Sequence, residues 1–438
     1  MSNGNDRGQW ASKIGFVLAA AGSAVGLGNI WRFPYITGQN GGAAFVLIYV
    51  ALIAVVGFSV MVAEIAIGRN AELNAVGSFR KLKGGLWPVV GWMGVAAGFI
   101  ILSFYSVIAG WTMAYVLKSF TGLMDVARSG GAADSFVSFI TSPGQVTFWH
   151  ALFMAITISV VYKGIGGGIE KCCRVLMPAL FLLILILIIR SVTLPGAGAG
   201  IEFYLKPDFS AITMGSFAAA LGQAFFTLSL GMGCMITYGS YLNKKEYIPG
   251  AAVQVCFLDT LIAILAGFVI FPAVFAFGVE PGAGPGLTFI TLPNVFGMMP
   301  GGVIWSALFF ILLFVAALTS AISLLEVVSA YVIDELKWPR HKAAVTMGIT
   351  IFLLGIPSIL GLTGQYPALS DIGGRDFLDS ADFIASNVLL PLGGLFIALF
   401  VGWVWTDGAR KEITNNGSMP FGLFVPWLWV CRLVAPIE

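Results

Sequence analysis

The sequence predicts an all-α polytopic membrane protein, and three observations predict it. Hydrophobic residues make up 58% of the 438 residues and charged residues only 10%, where a soluble domain carries about 25% charged residues. Apolar runs of the roughly 20 residues that cross a bilayer recur from one end of the chain to the other. Lys and Arg gather in alternate connections between those runs. So little charge cannot cover a water-facing surface, which excludes secreted, disordered, coiled-coil and nucleic-acid-binding classes. A net charge of +2 points to no acidic polymer as partner.

Taken in order, the runs give ten spans: 12–38, 43–68, 87–118, 147–162, 172–192, 213–242, 248–278, 301–333, 341–361 and 378–405. A last apolar stretch at about 420–437 carries Arg432 and makes an expected eleventh span. The chain therefore reads as one transmembrane domain over 1–438, with no soluble domain. The polar first nine residues lack a signal-peptide pattern, so the first span is expected to be retained. With the N-terminus inside, sixteen Lys and Arg fall on the inner side, Arg69, Arg80, Lys81, Lys83, Lys163, Lys171 and Arg174 among them. Five fall outside: Lys118, Arg128, Arg190, Lys206 and Arg375. That bias places the N-terminus in the cytoplasm. Three outer connections are long (119–146, 193–212 and 279–300), and the "LTFITLPNVF" core of the last is expected to form a short capping helix. The five cysteines lie in or beside apolar segments without metal-ligand spacing and read as buried thiols. His150 and His341 sit near span ends or loops, and no nucleophile–base set appears, so no enzyme is expected.

Two spans carry helix-weakening cores. The first contains Gly22-Ser23-Ala24-Val25-Gly26-Leu27-Gly28-Asn29, and the sixth Thr227-Leu228-Ser229-Leu230-Gly231-Met232-Gly233. Each interior glycine weakens a helix by roughly 1 kcal/mol. Small residues in one such segment are equally explained by close helix packing. Two segments five spans apart instead suggest an inverted repeat, 10–192 and 213–405, with broken helices 1 and 6 around a midplane site. Unwound backbone at that depth is tolerated where it lines a cavity or is buried in protein.

Polar residues inside the spans narrow the site. Asp259 lies in span seven, Glu64 in span two and Glu326 in span eight. A carboxylate at the bilayer centre costs roughly 3 kcal/mol and faces a cavity, a partner or an ion. Asp259 is read as an ion ligand or an interhelical hydrogen-bond acceptor, and Glu64 as a partner for backbone amides of a broken helix. Thr227, Ser229, Thr319 and Ser320 alone would read as helix–helix hydrogen bonds. Together with Asp259 and Asn29 they form an oxygen-rich set suited to hard cations.

At these residues the chain resembles the neurotransmitter:sodium symporters. "GSAVGLGNIWRFPYITGQNGGAAF" (22–45) is similar to that family's first-helix signature, "GQAFFTLSLGMG" (222–233) to its sixth-helix motif and "ALTSAISLLE" (317–326) to its eighth. The resemblance runs from Trp10 to about Pro436 and looks like that of a bacterial member, in the inner (plasma) membrane. It implies a first sodium site from Ala24, Asn29, Thr227 and Asp259, completed by the substrate carboxylate. It implies a second from carbonyls of Gly22, Val25 and Ala316 and the hydroxyls of Thr319 and Ser320. The substrate carboxylate would meet Tyr105 and the amides of Leu27 and Gly28. Its amino group would meet carbonyls near Ala24, Phe226 and Thr227, with Ser229 nearby.

Amine-transporting relatives have an aspartate where this chain has Gly26, so the substrate is expected to bring its own carboxylate. The resemblance implies a side-chain pocket of Ser23, Ile101, Phe226, Met232, Ser320 and Leu324. Without charge to pair a charged substrate, it fits a hydrophobic or aromatic amino acid. Met232 either adapts the pocket to large substrates or merely fills a gap. Tyr105 and Phe226 would form an outer lid, with Arg32 and Asp382 paired across the vestibule near Gln223. On the inside, Arg7 and Asp334 would pair, with Trp10, Ser240 and Tyr241 sealing the path. Glu326, where some relatives have Gln, puts a carboxylate within reach of Arg7.

The implied activity is sodium-coupled import of a neutral amino acid, with no obligatory protein partner beyond the lipid bilayer. Ala263 stands where chloride-dependent relatives have a serine, and Asp259 supplies a fixed charge, so no chloride is expected. The runner-up substrate is a small zwitterion such as glycine, alanine or taurine. A non-transporting amino-acid sensor on the same scaffold is the rival from another class.

Overall fold

The computed structural model describes residues 8–278 and 286–437. Among these, eight continuous helices are long and apolar enough to cross a bilayer: Ala43–Ala71, Pro88–Phe120, Pro143–Tyr162, Ile165–Val192, Ile248–Ala276, Gly302–Leu336, Arg340–Leu362 and Phe377–Val404. They are the expected second to fifth and seventh to tenth spans, some a few residues longer at one end.

The remaining two of the first ten spans are broken. The first is a bent pair, Lys13–Ala24 and Gly28–Gln39, at 51° to each other. The sixth is Met214–Thr227 and Cys234–Gly239, joined by the non-helical stretch 228–233. Each has a defined start. The Ser12 hydroxyl accepts the Gly15 N–H at 2.9 Å, and Thr213 and Ser216 cap reciprocally. Val25 turns to an extended ψ of 103°, which ends the first half-helix. In the sixth span Ser229, Gly231 and Gly233 take left-handed φ values of 54°, 76° and 76°. Gly231 is doubly required, because a Cβ there would lie 2.4 Å from the Leu390 carbonyl oxygen of the tenth span. Ser229 adopts the disfavoured region while its hydroxyl donates to the Ser23 carbonyl of the first break at 2.8 Å. The two unwound segments therefore hold each other.

The last apolar stretch forms a shorter helix than the eight continuous spans. Phe424–Val434 is a short apolar helix. At 1.5 Å per residue it reaches about 16 Å, roughly half the hydrocarbon thickness. The residues before it, 414–423, are turn and irregular backbone rather than an apolar run. In the connection between spans seven and eight, Leu287–Met298 forms the expected short helix.

The third span lies along the eighth, and the first half-helix packs on the fifth, seventh and eighth. This packing buries the pivotal polar groups Asn29, Glu64, Asp259 and Thr319 completely. On the basic face, Arg69 is fully buried and pairs with Glu412 at 2.7 Å. The Arg69 guanidinium also donates to the Asn415 Oδ1 at 2.6 Å and to the backbone carbonyl of Glu246. Asn70 donates to the other Glu412 oxygen at 2.7 Å. The cluster ties the end of span two to the connection after span six and to the helix Thr406–Ile413 after span ten.

Candidate functional site

Where the two breaks face each other, a small cavity of about 20 Å³ is lined by Ser23, Ala24, Gly26, Gly28, Ile101, Tyr105, Phe226, Thr227, Ser229, Met232, Ser320 and Leu324. These are the expected substrate contacts with one exception. Leu27 instead lines a larger vestibule of about 780 Å³ above the site, and its N–H donates to the Tyr105 hydroxyl at 3.1 Å. Gly28, Tyr105 and Phe226 line both spaces and form the layer between them. The small cavity holds about one water molecule, so an amino acid side chain enters only if Met232, Leu324 or the layer above gives way. No charged side chain lines it.

Gly26 is in tight quarters. A Cβ there would stand 2.5 Å from the Ser320 hydroxyl and 2.9 Å from the Tyr105 hydroxyl. The hydroxyls of Ser23 and Ser323 meet at 2.7 Å beneath the cavity, and the Cys234 thiol lies 3.8 Å from Ser323. Ser323 escaped the sequence reading, although it follows Ser320 by three residues on one helix face.

Two groups of oxygens converge beside the cavity. In the first, Asn29 donates its amide N–H to Asp259 Oδ1 at 2.7 Å, and the Thr227 hydroxyl donates to the same oxygen at 3.0 Å. The Asn29 amide oxygen accepts the Gly26 N–H at 2.9 Å. Asp259 Oδ2 is buried with no hydrogen-bond partner within 3.5 Å among the described residues. A buried carboxylate oxygen without a donor suits a cation. In the second group, Thr319 Oγ1 lies 3.4 Å from the Val25 carbonyl oxygen and 3.0 Å from that of Ala316. Ser320 Oγ lies 3.5 Å from the Gly22 carbonyl oxygen and 3.3 Å from that of Val25. All five expected groups thus gather in one place. Among the described residues, no three His, Cys, Asp or Glu converge on a metal position. Carbonyl, amide, hydroxyl and a single carboxylate oxygen make a donor set for a hard cation.

The flanking contacts explain how the breaks persist. Glu64 accepts the Gly231 N–H at 2.7 Å, the role expected of it. Gln223 donates to the Gly28 carbonyl at 2.8 Å, fastening the first break from above.

The vestibule holds Arg32 and Asp382, which make no direct ion pair with each other. Arg32 stacks over the Phe226 ring at 4.8 Å, and Asp382 accepts from the Ser386 hydroxyl at 2.7 Å. Trp31, Tyr35, Trp111, Phe136, Asp376 and Asp379 share its wall and were not anticipated.

On the basic face several of the residues expected at the inner side hold one another or nearby backbone. The Trp10 indole donates to the Tyr238 carbonyl at 2.9 Å, and its backbone N–H to that of Tyr241 at 3.3 Å. Asp334 accepts the Asn74 N–H at 2.6 Å, and the Ser240 hydroxyl donates to the Thr237 carbonyl at 2.7 Å. Arg7 lies outside the described residues. Glu326 has other partners among the described residues. Its carboxylate is held by Arg340 at 2.7 and 3.1 Å and accepts the Tyr241 hydroxyl at 2.6 Å. Arg340 begins span nine, beyond the reach of any pattern within span eight. Another unforeseen contact is Glu170, buried at the start of span five. It accepts the Ala11 N–H at 2.8 Å and pairs with Arg174 at 2.6 Å.

A large vestibule thus stands above a small cavity, with Gly28, Tyr105 and Phe226 between them. Comparison with known proteins agrees with that architecture. The sodium:neurotransmitter symporter family model matches residues 7–132 and 132–436. A sodium-dependent transporter of Bacillus subtilis, YhdH, is 43% identical over 98% of this chain and 95% of its own. A sodium-dependent transporter of Haemophilus influenzae is 40% identical over 100% of this chain and 97% of its own. A crystal structure of MhsT in complex with L-phenylalanine superimposes with a TM-score of 0.90 at 52% identity, covering 98% of both chains.

Proposed function

This chain belongs to the sodium:neurotransmitter symporter family, and from that premise we propose that it imports neutral hydrophobic or aromatic L-amino acids by alternating access, driven by sodium. One observation carries the substrate class. The cavity between the breaks has Ile101, Met232 and Leu324 in its wall, no charged side chain, and Gly26 in place of a carboxylate. A cationic amine finds no counter-ion there, whereas a zwitterion supplies its own. The phenylalanine bound to MhsT supports the same class.

Two sodium ions travel as co-substrates in this reading. The first takes Asp259, Asn29, Thr227 and the Ala24 carbonyl, with the substrate carboxylate as a further ligand. The second takes the carbonyls of Gly22, Val25 and Ala316 and the hydroxyls of Thr319 and Ser320. The chain's own residues orient the substrate. The Tyr105 hydroxyl and the amide dipoles of the second half-helix face its carboxylate, and Ser229 stands beside its amino group. Phe226 and Tyr105 close over it, and Arg32 with Asp382 complete the outer barrier. Trp10, Tyr241, Ser240 and Asp334, with Arg7, open in turn on the inner side. Asp259 supplies the negative charge that makes chloride unnecessary. The N-terminus faces the cytoplasm of a bacterial inner membrane.

Uptake of labelled leucine, tryptophan, tyrosine and phenylalanine into proteoliposomes tests this. The expected result is accumulation with an inward sodium gradient, none with potassium or choline, and no change on replacing chloride by gluconate. Accumulation of glycine, alanine or taurine in preference to these would overturn the substrate class. Sodium-dependent binding without accumulation would favour a sensor.

A further inference from the structure

The sequence left one charged residue of the last apolar segment without a role. Arg432 sits on the short helix Phe424–Val434, against the end of span ten. Its Nε donates to the Gly402 carbonyl at 2.7 Å, two residues before that span ends at Val404. Gly402 makes this approach possible, since a Cβ there would stand 3.0 Å from the Arg432 Cγ. The guanidinium lies over two indoles, Trp403 at 4.9 Å and Trp429 at 5.7 Å. Both indoles are on the periphery, 59% and 50% exposed, and so are Leu433 and Val434. In a membrane protein such an apolar periphery faces lipid.

Arg432 forms no ion pair among the described residues. Its contacts use one of five N–H donors, so the terminal nitrogens have no protein acceptor among those residues. An unpaired guanidinium among apolar side chains is unfavourable unless it reaches an anion or water. The end of a span is where lipid phosphates lie, and Trp rings settle at the same level. A phosphodiester accepts two parallel N–H bonds from a guanidinium, which suits Arg better than Lys. The next helix, Thr406–Ile413, adds exposed Arg410 and Lys411, and Arg410 lies over Phe424 at 5.6 Å, at the start of the Arg432 segment. Basic pockets between membrane helices hold anionic headgroups in this way.

We propose that Arg432, framed by Trp403 and Trp429, is a headgroup site for an anionic phospholipid on the lipid-facing side of span ten. The lipid phosphate bridges the guanidinium, and the acyl chains lie along Leu433 and Val434. This assignment is independent of which amino acid is transported.

Native mass spectrometry of the purified full chain tests it, with phosphatidylglycerol or phosphatidylcholine titrated into delipidated detergent micelles. The expected result is tighter retention of the first phosphatidylglycerol by roughly fivefold or more. Arg432→Gln removes that preference, Arg432→Lys retains part of it, and Trp403→Leu with Trp429→Leu weakens it with the charge intact. Equal retention of both lipids by the wild type, or an unchanged preference in a folded Arg432→Gln variant, would overturn the proposal. If Arg432→Gln does not fold, the double tryptophan variant decides in the same way. Inorganic phosphate at equal concentration is expected not to compete. Competition by it would mean a soluble-anion site and overturn the lipid assignment.

Discussion

Gly26→Ala adds one methyl group at the junction of the proposed substrate and cation sites. The added carbon would sit 2.5 Å from the Ser320 hydroxyl and 2.9 Å from the Tyr105 hydroxyl. Nothing forces the backbone elsewhere, because Gly26 is not among the positive-φ glycines, so the effect is purely steric. Ser320 must rotate its oxygen away from the Ser23 carbonyl, 3.0 Å distant, and that hydrogen bond is worth about 1 kcal/mol. Overpacking a close-packed site adds roughly 1–3 kcal/mol. The sum of about 2–4 kcal/mol corresponds to roughly 30- to 1,000-fold weaker binding. Scintillation-proximity binding of a labelled hydrophobic amino acid, titrated with sodium, measures it. Both the amino acid and the sodium half-saturation should rise, because Ser320 belongs to the proposed second sodium site as well as to the cavity. In a Ser320→Ala background the 2.5 Å clash is gone and the Tyr105 hydroxyl at 2.9 Å and the Cβ of residue 320 at 3.3 Å remain, so the same substitution should cost less there, a coupling that a double-mutant cycle isolates. Gly222→Ala is the control, with nothing within 4 Å of its Cβ. Wild-type sodium and substrate affinities in Gly26→Ala would refute the argument.

Other consequences are as direct. Asp259→Ser is expected to make uptake chloride-stimulated and to weaken sodium binding at least tenfold, since the charge that Asn29 and Thr227 address is gone; unchanged chloride-independent uptake would refute the fixed-charge role. Glu412→Ala strands the buried Arg69 guanidinium and should destabilise the protein by about 3–5 kcal/mol, read as a lowered thermal midpoint in detergent. The same cluster carries a pH signature. Burial works to raise the Glu412 carboxyl, but the Asn70 and Arg69 contacts prevail and hold it below its ordinary value. Its stabilisation is therefore complete above the usual carboxylate range, about pH 4.3, and is lost as the pH falls through the depressed value. Glu170→Gln weakens the anchor of the first half-helix to span five; hydrogen exchange across Lys13–Ala24 should quicken roughly tenfold with little change in global stability.

The spans, their order and both breaks were legible because bilayer crossing leaves a strong hydropathy signal and unwinding leaves glycine and hydroxyl residues where apolar ones would stand. Glu64 was legible for the same reason, since a carboxylate in span two had to answer some unpaired amide. What escaped was whatever depends on two distant segments meeting. Glu326 carries no mark that Arg340, at the start of another span, would claim it. Ser323 offered a weak signal, a third hydroxyl on the helix turn after Thr319 and Ser320. The vestibule aromatics Trp31, Trp111 and Phe136 look like any lipid-facing or core residues until the fold turns them onto one cavity. The start of the last helix was not legible, because Pro420, Phe421 and Leu423 are apolar in composition yet precede the helix Phe424–Val434.

The geometry also bears on how a sodium gradient is converted into uptake. Coupling requires that each ligand change the free energy of binding the other, and the change must be reciprocal. In the proposed sites the same few atoms serve both. Ser320 lines the cavity while its hydroxyl stands among the carbonyls of Gly22, Ser23 and Val25. Thr227 lines the cavity while its hydroxyl addresses Asp259. Asn29 joins the Asp259 carboxylate to the Gly26 N–H, and so ties the charged site to the unwound turn that faces the substrate. A cation that drew Asp259 and Asn29 into its shell would therefore reset the backbone on which the substrate rests. The link is short, made of direct contacts, and needs no signal through the scaffold. It follows that Asn29→Ala, at a residue that does not line the cavity, should raise the substrate half-saturation at limiting sodium far more than at saturating sodium. An equal effect at both concentrations would mean that Asn29 shapes the cavity alone and that coupling runs elsewhere.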